Sequence, residues 1–200
     1  MLYEKRQKIE FFKKIENFVA RLFASLPFSP NFYTFLSLLF AFIAFGFLYF
    51  QNVFFGAVAY FTAIFLDFVD GAVARAKKLA SKKGAYLDTI TDRWVEIIVL
   101  LGFIFIPLPK LLLPSHFWIF LLLTGSLMTT YTKAAAKEKE IVKQELKGGV
   151  LERGERTLGI FLALLLAEFE PFYSVVLISI LAFLSIISAL QRTFKALKKA

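Results

Sequence analysis

Long apolar runs constrain this chain more than any other feature. Residues 31–50, 53–76, 84–106 and 115–136 are dominated by Phe, Leu, Ile, Val and Ala. Each is about 20 residues or longer, the length a helix needs to cross a bilayer. A shorter run at 157–167 and a sixth at 172–190 follow. In hydrocarbon every backbone N–H and C=O must be paired internally, which leaves helices or a closed barrel. Continuous rather than alternating apolarity selects helices. The expected fold is therefore all-α: an integral membrane bundle of six transmembrane helices over 31–196, within a single domain spanning 1–200. A mean hydropathy of +0.68 agrees, being too high for an ordinary water-soluble domain.

Residues 3–26 have a different character. Ile9, Phe12, Ile15, Val19, Leu22, Phe23 and Leu26 recur at helical spacing, with Lys5, Arg6, Lys8, Lys13, Lys14 and Arg21 between them. That pattern predicts an amphipathic helix lying in the headgroup layer rather than a signal peptide, which would carry a continuous apolar core. Pro27 and Pro30 end it.

The net charge of +9 is unevenly placed. Lysines and arginines cluster in the N-terminal segment, around 75–83, across 133–156 and in the tail, whereas Lys110 alone falls in a loop on the other side. The positive-inside rule then puts both termini and the basic loops at the cytoplasmic face of the cell membrane. In so apolar a chain this charge suits an anionic membrane surface and phosphorylated substrates, with no nucleic acid as partner. The absence of Cys excludes disulfides, thiolate zinc sites and a cysteine nucleophile. A lone His116 gives no support to a Ser-His-Asp triad or a histidine metal cluster. The 26 Phe are best read as lipid-facing and packing residues.

Four carboxylates interrupt the apolar pattern. Asp67-Phe-Val-Asp70-Gly71-Ala-Val-Ala74-Arg75 closes the second run, and Gly84-Ala-Tyr-Leu-Asp88-Thr-Ile-Thr-Asp92 opens the third. At about 100° per residue, Asp67 and Asp70 lie within about 60° on one helix, and Asp88 and Asp92 within about 40° on the next. Should the two helices form a hairpin, all four side chains converge. Anions so close repel one another strongly in a low-dielectric setting, and a hard divalent cation such as Mg2+ relieves the repulsion. The bland alternative, pairing with Arg75, Arg93 and nearby lysines, explains one such Asp more easily than four together. A cation transporter would place its charges near the midplane with access from both sides, unlike this one-sided cluster.

The pattern D-x2-D-G-x2-A-R-x8-G-x3-D-x3-D resembles the signature of the CDP-alcohol phosphatidyltransferase family, matched at every specified position. The resemblance implies a membrane enzyme that moves a phosphoryl-alcohol group from a CDP-linked donor to an acceptor hydroxyl and releases CMP. It implies that Asp67, Asp70 and Asp88 hold two Mg2+ or Mn2+ ions against the donor diphosphate, with Asp92 as general base. Gly71, Ala74 and Gly84 would let a nucleotide approach the backbone, although small residues also serve helix packing in membranes. Arg75 would contact phosphate, and Pro30-Asn31-x-x-Thr34 resembles the family's nucleotide-associated P-N-x-x-T element. Tyr131-Thr-Lys133-Ala and Glu152-Arg153-Gly-Glu-Arg156 resemble the branch whose acceptor is inositol phosphate. Lys133, Arg153, Arg156 and Arg192 would then bind the acceptor phosphate, though each also fits ordinary positive-inside flanking. The donor is CDP-diacylglycerol, CDP-archaeol or, giving a soluble di-inositol product, CDP-inositol. Glycerol phosphate is the alternative acceptor, and the family resemblance suggests a homodimer.

Overall fold

The computed structural model describes residues 14–142 and 148–199. Helix α1 is described over 14–24, and six longer helices follow: α2 (Pro30–Tyr49), α3 (Val53–Ala76), α4 (Lys82–Phe103), α5 (Ser115–Glu138), α6 (Arg153–Phe169) and α7 (Pro171–Leu197). No β-sheet forms among the described residues; a single bridge joins Leu111 and Leu113.

Helix ends follow local chemistry. Pro30 opens α2, where its missing N–H is harmless. Gln51, with φ of 61°, turns the chain into α3. Ser81 caps α4, its Oγ accepting from Gly84 N at 3.0 Å, so this helix begins two residues before the expected Gly84. Helix α6 begins at Arg153, well ahead of the expected 157, because Glu152 and Glu155 form a reciprocal capping box. At 17 residues it is about 26 Å long. Helix α7 runs past 190 to Leu197.

Helix α2 packs along α3 and α4, α5 along α7, and α6 against α7 and α3. Close approach depends on small residues, as expected where lipid supplies no driving force between helices. Leu48 of α2 fills the space left by Gly56 and Gly102, while Ala41, Ala44, Ala57, Ala63 and Ala163 are fully buried. Contact between α3 and α4 is sparse. The two helices that carry the aspartates are therefore not packed along a tight hairpin seam; α2 lies against both, and a cleft lies between their facing ends.

Helices α2, α3 and α7 are long and apolar enough to cross a bilayer; α4 carries more charge, α6 is shorter, and α5 is richer in Ser and Thr. Many large apolar side chains point outward, among them Phe35, Phe42, Phe55, Phe61 and Phe183. This is an all-α integral membrane fold with several helical spans.

The described part of α1 has apolar residues on two sides. Val19 and Ala20 are buried in a cluster with Tyr33, Leu66 and Val69, whereas Phe18 and Leu22 face outward. The expected residues Lys5, Arg6, Lys8, Ile9, Phe12 and Lys13 lie outside the described residues.

Candidate metal and phosphate site

The last turns of α3 and the first turns of α4 face each other across the cleft. One carboxylate oxygen from each of Asp67, Asp70 and Asp88 lies within 4.8 Å of the others. Three hard anionic donors at this spacing suit a divalent cation. Asp92 stands one turn deeper and outside this trio. It is buried and forms an ion pair with Arg153 Nη1, while Nη2 of the same guanidinium donates to Asp67 Oδ2 at 3.0 Å. Arg153, from the first turn of α6, thus bridges the trio and the fourth aspartate.

Asp70 is also buried, and Thr34 Oγ1 of α2 donates to its Oδ2 at 2.6 Å. The cleft above these groups is a cavity of ≈330 Å³ lined by Pro30, Asn31, Thr34, Asp67, Asp70, Gly71, Ala74, Arg75, Gly84, Asp88 and Arg153. Every position expected to meet the nucleotide lies on this one wall.

The glycines here can be separated from packing glycines. A Cβ on Gly71 would meet only the flexible Arg75 guanidinium, at 3.3 Å, and one on Gly84 would meet Ser81 Oγ at 3.2 Å. At Gly125 it would lie 2.7 Å from Ser185 Cβ and 2.9 Å from Ile186 N, against the neighbouring helix. Gly71 and Gly84 keep the cleft open, whereas Gly125 keeps α5 and α7 together.

Around the rim, Arg75 Nε donates to Glu16 Oε1 of α1 at 2.5 Å. Lys77 Nζ donates to the carbonyls of Leu26 and Phe28 at 2.8 and 2.9 Å, tying the α1–α2 connection to the end of α3.

The four expected acceptor cations are not equivalent. Arg153 is drawn into the carboxylates. Arg156 is only 1% exposed, its Nε and Nη2 donating to Glu96 Oε1 and Oε2 at 2.6 and 3.3 Å. Arg192 of α7 donates from Nη1 to Thr129 O at 2.7 Å and from Nε to Gly148 O at 3.2 Å. Lys133, half-buried, lies one turn beyond Thr129 on α5. All four lie at the same end of the bundle, at the start of α6 and towards the C-terminal ends of α5 and α7.

Glu96 is the residue that sequence reasoning overlooked. It is buried one turn beyond Asp92 on α4 and also accepts from Arg93 Nη1 at 2.9 Å. Its signal was an ionisable side chain inside an apolar run, four residues after a singled-out aspartate.

A second cavity, ≈430 Å³ and mostly apolar, lies beside the cleft between α3 and α6. Phe61, Ile64, Phe65, Phe68 and Leu158 line it, and it meets the polar cleft at Asp67 and Arg153.

Known proteins resemble this chain in sequence and in fold. The CDP-alcohol phosphatidyltransferase family matches residues 28–190. The archaetidylinositol phosphate synthase of Pyrococcus horikoshii is 33% identical over 189 residues, covering 90% of each chain. The fold resembles that of the Mycobacterium tuberculosis phosphatidylinositol phosphate synthase PgsA1, known with CDP-DAG bound. That similarity has a TM-score of 0.77 at 24% identity, over 92% of this chain and 94% of the other. The same enzyme in complex with manganese and citrate gives a TM-score of 0.78 at 24% identity, over 91% and 88% of the two chains.

Proposed function

The chain belongs to the CDP-alcohol phosphatidyltransferase family, and we propose that its reaction joins a CDP-activated lipid to inositol 1-phosphate. The donor in this reading is CDP-archaeol or CDP-diacylglycerol, and the product is an inositol-phosphate lipid. The observation that carries the CDP-donor half is the approach of the Asp67, Asp70 and Asp88 carboxylates to one another on the wall of the ≈330 Å³ cleft, and the 33% identity to an archaetidylinositol phosphate synthase supports the inositol phosphate half.

Asp67, Asp70 and Asp88 are the residues that would hold Mg2+ or Mn2+, in one or two ions. When bound, a divalent ion polarises the phosphoryl oxygens and offsets charge on the departing CMP. The protein side chains account for the remaining steps. Pro30, Asn31, Thr34, Ala74 and Arg75 form the nucleotide's wall, and Gly71 and Gly84 let its phosphates approach the backbone. Asp92 accepts the proton of the acceptor hydroxyl as the hydroxyl oxygen bonds to the phosphorus that carries the lipid alcohol. The bond from that phosphorus to CMP breaks, and CMP leaves with the electron pair. Arg153, hydrogen-bonded to Asp67 and paired with Asp92, fixes the base relative to the diphosphate site, so positioning supplies much of the rate.

The apolar cavity beside the cleft supports a lipid donor, since it offers Phe and Leu side chains to a hydrocarbon chain whose head group lies by Asp67. Lys133, Arg153, Arg156 and Arg192 supply the positive charge for the acceptor phosphate. Six crossings with both termini and the cleft at the cytoplasmic face complete the reading, as the distribution of Lys and Arg favours. A pair of chains, by family analogy, is the assembly.

The test is a panel of CDP donors and phosphorylated acceptors with Mg2+, following CMP. Release that requires a CDP-lipid together with inositol 1-phosphate supports the reading. Release with CDP-inositol but no CDP-lipid replaces it with a soluble product, and release only with glycerol 3-phosphate replaces the acceptor.

A further inference from the structure

We propose that Ser188 is a positioning residue for the reaction: it anchors the connection ahead of α6 and so sets where Arg153 meets Asp67 and Asp92. The inference deepens the proposed function, because it rests on the reading of Arg153 as the group that fixes the base.

One face of α7 holds residues 148–151. Ser188 and Arg192 are four residues apart on that helix and share a side. Ser188 is fully buried, and its Oγ accepts from Leu151 N at 2.9 Å. Arg192 Nε donates to Gly148 O at 3.2 Å, and Nη1 of the same guanidinium donates to Thr129 O of α5 at 2.7 Å. The connection is therefore pinned at both ends to α7 and, through Arg192, to the helix that carries Lys133.

Two adjacent glycines permit this seat. Gly148 has φ of 85°, a conformation that strains a residue with a Cβ. A Cβ on Gly149 would lie 3.2 Å from Ser188 Cβ and 3.3 Å from its Oγ, so bare backbone is what lets the chain come this near α7. Leu151 is then buried in the main core.

From Leu151 the path to the cleft is short. Glu152 N donates to Glu155 Oε2 at 2.9 Å in the capping box that starts α6. Arg153 follows at once, and its guanidinium has to meet Asp67 of α3 and Asp92 of α4 together. A fork shared between two other helices tolerates little error in where its own helix begins, and misplacing a positioning group by about 1 Å can cost about 10²-fold in rate. Without the Ser188 oxygen, Leu151 N–H is left buried with no acceptor, a state costly enough to shift the segment towards another partner. Ser188 lines neither the polar cleft nor the apolar cavity, so its influence on the reaction runs through the segment it holds.

The experiment is a double-mutant cycle on CMP release from the detergent-solubilised protein, using the CDP donor and phosphorylated acceptor that react fastest with Mg2+. Ser188→Ala, Arg153→Lys and the pair are compared, with donor KM and unfolding temperature followed in parallel. Ser188→Ala is expected to lower kcat about tenfold while the donor KM stays within about twofold. On an Arg153→Lys background the same change should cost less than about twofold, because the bridge it serves is already lost. Losses that multiply in the pair overturn the assignment. So does an unaltered kcat in Ser188→Ala, and a lowered unfolding temperature beside it would make Ser188 merely structural. Should Ser188→Ala not fold, Gly149→Ala, which lifts the same connection off α7, takes its place in the cycle under the same criteria. If Arg153→Lys itself leaves kcat and acceptor KM unaltered, the reading of Arg153 falls, and this inference with it. If Arg153→Lys impairs the reaction and Ser188→Ala does not, only the Ser188 assignment falls. No CMP release from any pair would remove the proposed reaction altogether.

Discussion

Thr34 on α2 donates its hydroxyl hydrogen to Asp70 Oδ2 on α3 across 2.6 Å, inside the protein. This contact ties the P-N-x-x-T element to the acidic motif 36 residues later. A buried carboxylate that loses such a donor is left undersatisfied by about 1–3 kcal/mol. Thr34→Val keeps the shape and removes the donor. Metal affinity, read by Mn2+ titration, should fall about tenfold or more, as for other groups that orient metal ligands. Unchanged affinity would reduce Thr34 to a packing residue.

Asp92→Asn should preserve the binding of CDP-donor and metal, because Asp92 stands outside the trio of Asp67, Asp70 and Asp88. Loss of a general base lowers turnover by about 10²–10⁴. Isothermal titration with the donor and a single-turnover CMP assay check the two halves separately. A near-normal rate removes Asp92 from the role of base.

Arg153→Lys tests whether the bridge needs a fork. A lysine keeps the charge but cannot span Asp67 and Asp92 with two planar donors. The expected outcome is a kcat loss of about tenfold or more with a raised acceptor KM. An unaltered kcat would mean that charge alone suffices.

Gly71→Ala and Gly125→Ala should fail in opposite ways. At Gly125 the added methyl collides with Ser185 and the Ile186 backbone, so overpacking costs about 1–3 kcal/mol and lowers the unfolding temperature. At Gly71 only the mobile Arg75 end is nearby, so stability should hold while donor KM rises. Thermal unfolding and donor kinetics on both variants make the comparison. Equal destabilisation of the two would assign Gly71 to packing.

The sequence made the helices and the aspartates legible for a simple reason: both are local. Apolar run length marks α2 and α3 almost to the residue, and i,i+3 or i,i+4 spacing puts each aspartate pair on one face. What stayed hidden depends on neighbours distant along the chain. Glu96 finds Arg156 60 residues later, and Arg153 finds Asp67 86 residues earlier. No periodicity within one helix reports such pairings. Arg156 reads as a flanking cation by composition, yet α6 begins early enough to draw it inside, through a capping box built on Glu152 instead of Ser or Thr. That α3 and α4 pack on α2 and hardly on each other was equally invisible, since it is a tertiary arrangement.

Whether carboxylates from α3 and α4 share a divalent ion at the base of the cleft is decided by anomalous diffraction from crystals grown with Mn2+. The expected result is a manganese peak within coordination distance of Asp67, Asp70 and Asp88, lost in Asp70→Asn. A peak elsewhere, or three carboxylates without a metal at saturating Mn2+, would contradict it.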